Sequence, residues 1–164
     1  MLTLRAPEPE DLDFLFRLEN DRTLWPVSST QMPYSRYALK QYIASCPTDF
    51  HADRQVRLMA DDGQGPVAVA DLFNYQPLDG RAEIGLAVDG SRRGEGIGRE
   101  TLQLLCDYAR RTLGLRLLTA YIQKENEPCC QLFRSFPFQE VATLPEWLFF
   151  EGRSHDLVIF QKKI

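Results

Sequence analysis

The sequence predicts a single α+β domain over residues 1–164, with a mixed, mostly antiparallel central sheet flanked by helices and one parallel βαβ crossover. Three observations predict it. Strand-like runs at residues 55–60, 67–75 and 82–88 follow one another across the turns Asp61-Asp62-Gly63-Gln64-Gly65 and Leu78-Asp79-Gly80, as in an antiparallel meander. Beyond them Ile97, Thr101, Leu105, Ala109 and Leu113 fall on one helical face, with Arg99, Gln103, Asp107 and Arg110 on another. The apolar run 117–122 then completes strand, glycine-rich turn, helix and strand. That unit makes 82–88 and 117–122 parallel neighbours.

The other elements follow in order. Leu2-Thr3-Leu4-Arg5 alternates and reads as a short first strand. Glu8-Pro9-Glu10-Asp11 places Pro and acids at a helix start, where they suit the dipole, and that helix runs to about Asn20. A Pro- and Ser-rich loop over 25–33 leads to a helix over 35–45, whose buried stripe is expected to be Tyr37, Leu39, Tyr42 and Ile43. Gly114 is placed to stop the long helix. Residues 127–135 read as a short helix, and 138–161 as a closing hairpin around Glu151-Gly152-Arg153.

Composition narrows the function classes. The chain has 164 residues, 44% of them hydrophobic and 26% charged, and a net charge of −4. It has no overall basic field for a nucleic acid or an anionic membrane. No apolar run approaches the ~18 residues of a membrane span, and no signal peptide is visible at Met1-Leu2-Thr3-Leu4-Arg5. Cys46, Cys106, Cys129 and Cys130 lack CxxC spacing, and His51 and His155 are the sole histidines. A reduced, cytoplasmic protein without a metal is expected, either monomer or homodimer.

The chemistry concentrates at Arg93-Gly94-Glu95-Gly96-Ile97-Gly98. A strand that passes through a glycine-rich turn into a helix presents free backbone N–H groups beside the positive end of the helix dipole. Arg92, Arg93 and Arg99 add positive charge, so a phosphate is expected there. The spacing GxGxG does not fit the dinucleotide pattern, and no Lys-Ser/Thr follows as a P-loop requires. It does fit [Q/R]-x-x-G-x-[G/A], with Arg93, Gly96 and Gly98.

On these residues the chain resembles the GNAT superfamily of acyl-CoA N-acyltransferases, in which this loop grips the pyrophosphate of coenzyme A. The likeness extends to the strand Ala82-Glu83-Ile84-Gly85-Leu86-Ala87-Val88, which resembles the strand that pairs with the pantetheine arm. It continues through Asn126 to Leu132-Phe133, similar to the N-x-x-(3)-LY motif, and through Phe150-Glu151-Gly152 to Asp156, similar to the F-x-G-x-x-x-D hairpin of one branch. That branch includes ribosomal-protein N-terminal acetyltransferases and spermidine N-acetyltransferases.

The resemblance implies a GNAT-like fold and acetyl transfer from acetyl-CoA to an amine in a ternary complex. The acceptor would be a polyamine, another small amine or a protein N-terminus. Leu86, Ala87 and Val88 would hold the thioester through strand N–H groups. Arg93, Gly94, Glu95, Gly96, Ile97, Gly98 and Arg99 would bind phosphate, and Asn126 and Phe133 would line the cofactor. Glu83 is the candidate base, acting through water, against the plainer reading of a solvated strand carboxylate. Asp71, alone in an apolar run, is expected to face the surface, and Glu19, Asp21 and Trp25 border the acceptor or simply end a helix.

Two positions depart from the family. Phe133 stands where a Tyr commonly serves as general acid, and phenylalanine has no proton to give. Tyr121 is an alternative hydroxyl, although a strand Tyr is more often core. Cys129 and Cys130 are expected to be packing residues rather than nucleophiles. Pro137 stands where Gly is usual, so the turn after the short helix must differ. An acyl-CoA-binding or regulatory domain without catalysis is the competing class, and a nucleotide-binding domain is a third.

Overall fold

The computed structural model describes residues 1–27 and 32–164, and the centre of the loop expected over 25–33 lies outside them. The strands are β1 (Thr3–Arg5), β2 (Val56–Asp61), β3 (Pro66–Gln76), β4 (Arg81–Val88), β5 (Leu117–Gln123), β6 (Gln139–Phe150) and β7 (Arg153–Lys163). They form one sheet in the order β1-β2-β3-β4-β5-β7-β6. Every neighbouring pair is antiparallel except β4–β5, the parallel seam left by the crossover. The helices are α1 (Leu12–Glu19), α2 (Arg36–Ala44), α3 (Phe50–Asp53), α4 (Ile97–Arg111) and α5 (Glu127–Ser135).

Strand alternation gives the sheet two unlike faces. Leu58, Ala70, Leu72, Ile84, Leu118, Ala120 and Ile122 pack against Leu102, Leu105 and Ala109 of α4 and Cys130 and Phe133 of α5. Each fully buried leucine there is worth about 1.5–3 kcal/mol relative to exposure. On the other face Met59 and Val69 pack against Phe14, Leu15 and Leu18 of α1 and Leu39 and Ile43 of α2. Glu83, Gly85, Thr119 and Tyr121 share that second face by register, since Glu83 is paired with Thr119.

Several local devices differ from their sequence reading. Asp11 is 1% exposed and holds Arg5 in a two-point pair (2.7 and 2.8 Å) while accepting the Glu8 N–H, so it anchors β1 to α1 rather than merely complementing a dipole. Tyr37 is outside the stripe of α2, being exposed beside buried Leu39 and Ile43. Helix α3 has no counterpart in the sequence reading, and its N-cap Asp49 accepts the His51 and Ala52 N–H groups. The closing hairpin turns on Glu151 and Gly152, both at positive φ (52° and 74°), as a two-residue turn between right-twisted strands requires. After α5, Phe136 turns extended (φ −93°, ψ 154°), which is how the chain proceeds through Pro137 without a left-handed glycine.

Candidate active site

The site begins where the sheet comes apart. β4 and β5 pair over Arg81–Glu83 and Leu117–Thr119 and no further. Beyond that point β4 stays with β3 through Val88, and β5 stays with β7 through Gln123. Between the diverging strands one edge of β4, including Leu86, Ala87 and Val88, has no strand partner. Gly85 lies on this stretch. A Cβ there would stand 3.3 Å from the Phe73 ring, so glycine serves close packing on β3, and the irregularity of the β3–β4 ladder lies at Phe73–Gln76.

At the open end of this gap sits the glycine loop. Asp89 caps the short turn Gly90–Arg92 by accepting the Ser91 N–H. Gly94 and Gly96 then take φ of +85° and +84°, which an L side chain resists. This winding ends directly in α4, and no backbone N–H from Gly94 to Arg99 donates a hydrogen bond among the described residues. Those donors lie at the positive end of a 15-residue helix dipole.

The charges around the loop divide into occupied and free. Arg92 is paired with Glu95 (2.8 Å) and Asp62 (3.1 Å), which neutralises the one carboxylate inside the loop. Arg99 donates to the Ser135 hydroxyl (3.2 Å) and lies over the Phe136 ring. Arg93 makes no hydrogen bond or ion pair among the described residues. It faces Asp21, whose carboxyl is held below its ordinary range chiefly by the Thr23 hydroxyl, with a smaller contribution from Arg93. The set suits a polyanion: free N–H groups, a free guanidinium and a slot between strands for an uncharged arm.

The remaining predicted residues fall in three places. Asn126 caps α5 by accepting the Cys129 N–H at 3.4 Å. Phe133 is 2% exposed and packs edge-to-face on Phe138, with ring centroids 4.9 Å apart. A phenyl ring with no polar atom suits that core. Glu83 projects on the second face, where Asn74 donates to its carboxylate at 3.0 Å from a left-handed position (φ 50°). Tyr121 is 46% exposed on the same face rather than core.

Asp71 is also not a surface acid. Its carboxylate accepts two bonds from Arg57 (2.8 Å each), and the same guanidinium reaches Glu19. Arg57 lies over the Tyr42 ring, and burial pushes the Tyr42 phenol up to about 12. Tyr42, Arg57, Asp71, Phe73 and Asn74 line a cavity of ≈ 310 Å³ that adjoins Glu83 through Asn74. Arg57, Tyr42 and Asn74 were missed from the sequence. The signal was present, because an Asp inside an apolar strand requires a cation, and Arg57 is the cation of the preceding strand. A second cavity of ≈ 340 Å³ lies between Trp25 and Phe149–Phe150.

Burial raises Cys129 to about 12 and Cys106 to about 11, which disfavours a nucleophilic thiolate. No group of three or more His, Cys, Asp or Glu among the described residues is arranged to hold a metal, and no described helix is long and apolar enough to cross a membrane.

Residues 1–139 match the model of the acetyltransferase (GNAT) domain. The chain belongs to the GNAT acetyltransferase family. It is an acyl-CoA-dependent acetyltransferase. It is 26% identical over 162 residues to an uncharacterized N-acetyltransferase p20 of Bacillus licheniformis, covering 97% of this chain and 90% of that protein. It is 25% identical over 157 residues to the spermidine N(1)-acetyltransferase of Vibrio cholerae, covering 95% and 89%. The crystal structure of the spermidine N-acetyltransferase from Vibrio cholerae in complex with CoA and spermine superposes with a TM-score of 0.89 at 24% identity, over 99% of this chain and 95% of that one. This GNAT fold has the gap between β4 and β5 as its defining irregularity.

Proposed function

We propose that residues 1–164 form one N-acetyltransferase domain that transfers an acetyl group from acetyl-CoA to a primary amine by direct attack in a ternary complex. The amine belongs to a polyamine, another small amine or a protein N-terminus. The observation that carries the reading is the unpaired stretch of β4 beside the uncapped start of α4: a slot and an anion site meet at one point. Acetyl-CoA supplies the acetyl group already activated as a thioester.

Each residue then has a role. The N–H groups from Gly94 to Arg99 and the Arg93 guanidinium bind the phosphates. The backbone of Leu86, Ala87 and Val88 orients the thioester carbonyl, a contact of oxyanion type worth about 3 kcal/mol. Glu83 takes the proton of the incoming ammonium through water, and Asn74 fixes its carboxylate. Asn126 orders the start of α5 beside the slot. The cavity lined by Tyr42, Arg57 and Asp71 receives the rest of the acceptor. An α-amine, which titrates at about 7.7–8, requires less of Glu83 than an alkylamine near 10.4.

Single-turnover mixing of the protein, acetyl-CoA and a panel of amines tests this. Acetyl transfer to at least one amine is expected, and Glu83→Gln should lower kcat about 100-fold with acetyl-CoA affinity unchanged. Tight binding with no transfer to any amine would sink the catalytic reading and leave the acyl-CoA-binding alternative, which the apolar Phe133 favours.

A further inference from the structure

Resting on the acetyltransferase reading, we propose that Tyr121 is the proton donor to the departing thiolate. Amine attack forms a C–N bond at the thioester carbon, and collapse breaks the C–S bond, leaving the electron pair on sulfur. That thiolate needs a proton. Phe133 has no hydroxyl and lies in the core, so the donor must come from elsewhere on the walls of the gap.

The register singles out Tyr121. Glu83 and Thr119 are the last residues paired across β4 and β5. Two positions further along each strand, on the same face, come Gly85 and Tyr121. They flank the gap where it begins to widen, one wall without a side chain and the other carrying a phenol. Tyr121 is held firmly from behind, because β5 pairs with β7 there through Ile159. Ala120 and Ile122 on either side point into the core, which turns the Tyr121 ring to the open face. Its hydroxyl has no hydrogen-bond partner among the described residues.

The other tyrosines do not compete. Tyr34 and Tyr37 are exposed at and before α2, Tyr75 is buried beside Phe50, Tyr108 lies on α4, and Tyr42 sits against Arg57. Thr119 shares the face, but an aliphatic hydroxyl is a far weaker acid than a phenol. A phenol and an alkyl thiol titrate within about two units of each other, so transfer between them is close to balanced. Tyr121 gives its proton to sulfur and is reprotonated by the proton that Glu83 removed from the acceptor ammonium, while the second proton on nitrogen leaves to water after the C–N bond has formed. The sum is amide, free thiol and one proton released.

The test joins turnover with binding. Tyr121→Phe should lower kcat about 100-fold, leave both KM values within about twofold, and remove the alkaline limb of the kcat–pH profile. Independently of turnover, calorimetry should show the wild-type chain binding coenzyme A about 3- to 10-fold more tightly than desulfo-coenzyme A, with the difference lost in Tyr121→Phe. Equal affinities for the two ligands in the wild-type chain, or an unchanged kcat in Tyr121→Phe, would overturn the assignment. Absence of transfer by the wild-type chain, with the affinity difference intact, would count instead against the acetyltransferase reading.

Discussion

The two sides of the β4–β5 gap are built on opposite plans. On the α4 side the polar groups are backbone N–H groups and one free guanidinium, Arg93, held in place by glycine conformations and a helix start. On the α1–α2 side they are side chains already committed to one another, Arg57 with Glu19 and Asp71, and Glu83 with Asn74. A site made of backbone is fixed by the fold, needs few particular side chains and suits a ligand that never changes. A site made of paired side chains can be re-specified by exchanging a few residues, and suits the partner that varies between enzymes. Under the proposed mechanism the chemistry falls where the two plans meet, since Glu83, Gly85 and Tyr121 lie along the boundary.

Breaking the committed side should have the largest effect. Arg57→Met leaves two half-buried carboxylates without their cation, and should lower stability by about 3 kcal/mol in denaturant titration. The free side should respond in the opposite way. Arg93→Ala, which removes no internal hydrogen bond or ion pair among the described residues, should leave the melting temperature nearly unchanged but weaken acetyl-CoA about 10-fold in calorimetry at low salt, with a shallower salt dependence than the wild-type chain. If Arg93→Ala unfolds the protein, or Arg57→Met melts with the wild type, the division into free and committed charges fails.

Two smaller effects sharpen it. Asp21 joins the two sides and its carboxyl is held low in the folded chain, first by Thr23. Its contribution is therefore present above the ordinary carboxylate value near 3.9 and lost as pH falls through the folded value. Asp21→Asn should flatten the decline in stability below about pH 4, measured by thermal melts across pH. Cys129, raised to about 12 by burial, should resist alkylation at pH 8 on a timescale that modifies a free thiol fully.

The difference in plan also explains what the sequence revealed. The α4 side was legible because its function lives in backbone geometry, and glycines at a strand-to-helix junction announce that geometry directly. The meander of β2 to β4 and the parallel seam were legible through periodicity and the crossover, whereas the place of β1 beside β2 and of β7 between β5 and β6 was not. The α1–α2 side was not, because each of its groups depends on a partner distant in the chain: Arg57 is 38 residues from Glu19 and 14 from Asp71. Asp71 alone looks like a surface acid and Tyr121 alone looks like core. The pairing of Asp71 with Arg57 and the exposure of Tyr121 appear once β2 meets β3 and β5 leaves β4.

The short ladder between Arg81–Glu83 and Leu117–Thr119 makes the sheet two leaves on a three-residue hinge. One leaf carries β1 to β4, with α4 packed along it, and the other carries β5 to β7. Such a sheet is stiff along each leaf and weak along the seam. Force applied across β4 and β5 would open it there first, and a molecule seated in the gap acts as a splint that joins the leaves. Cutting the chain between α4 and β5 would divide it along the line where the sheet is already least continuous.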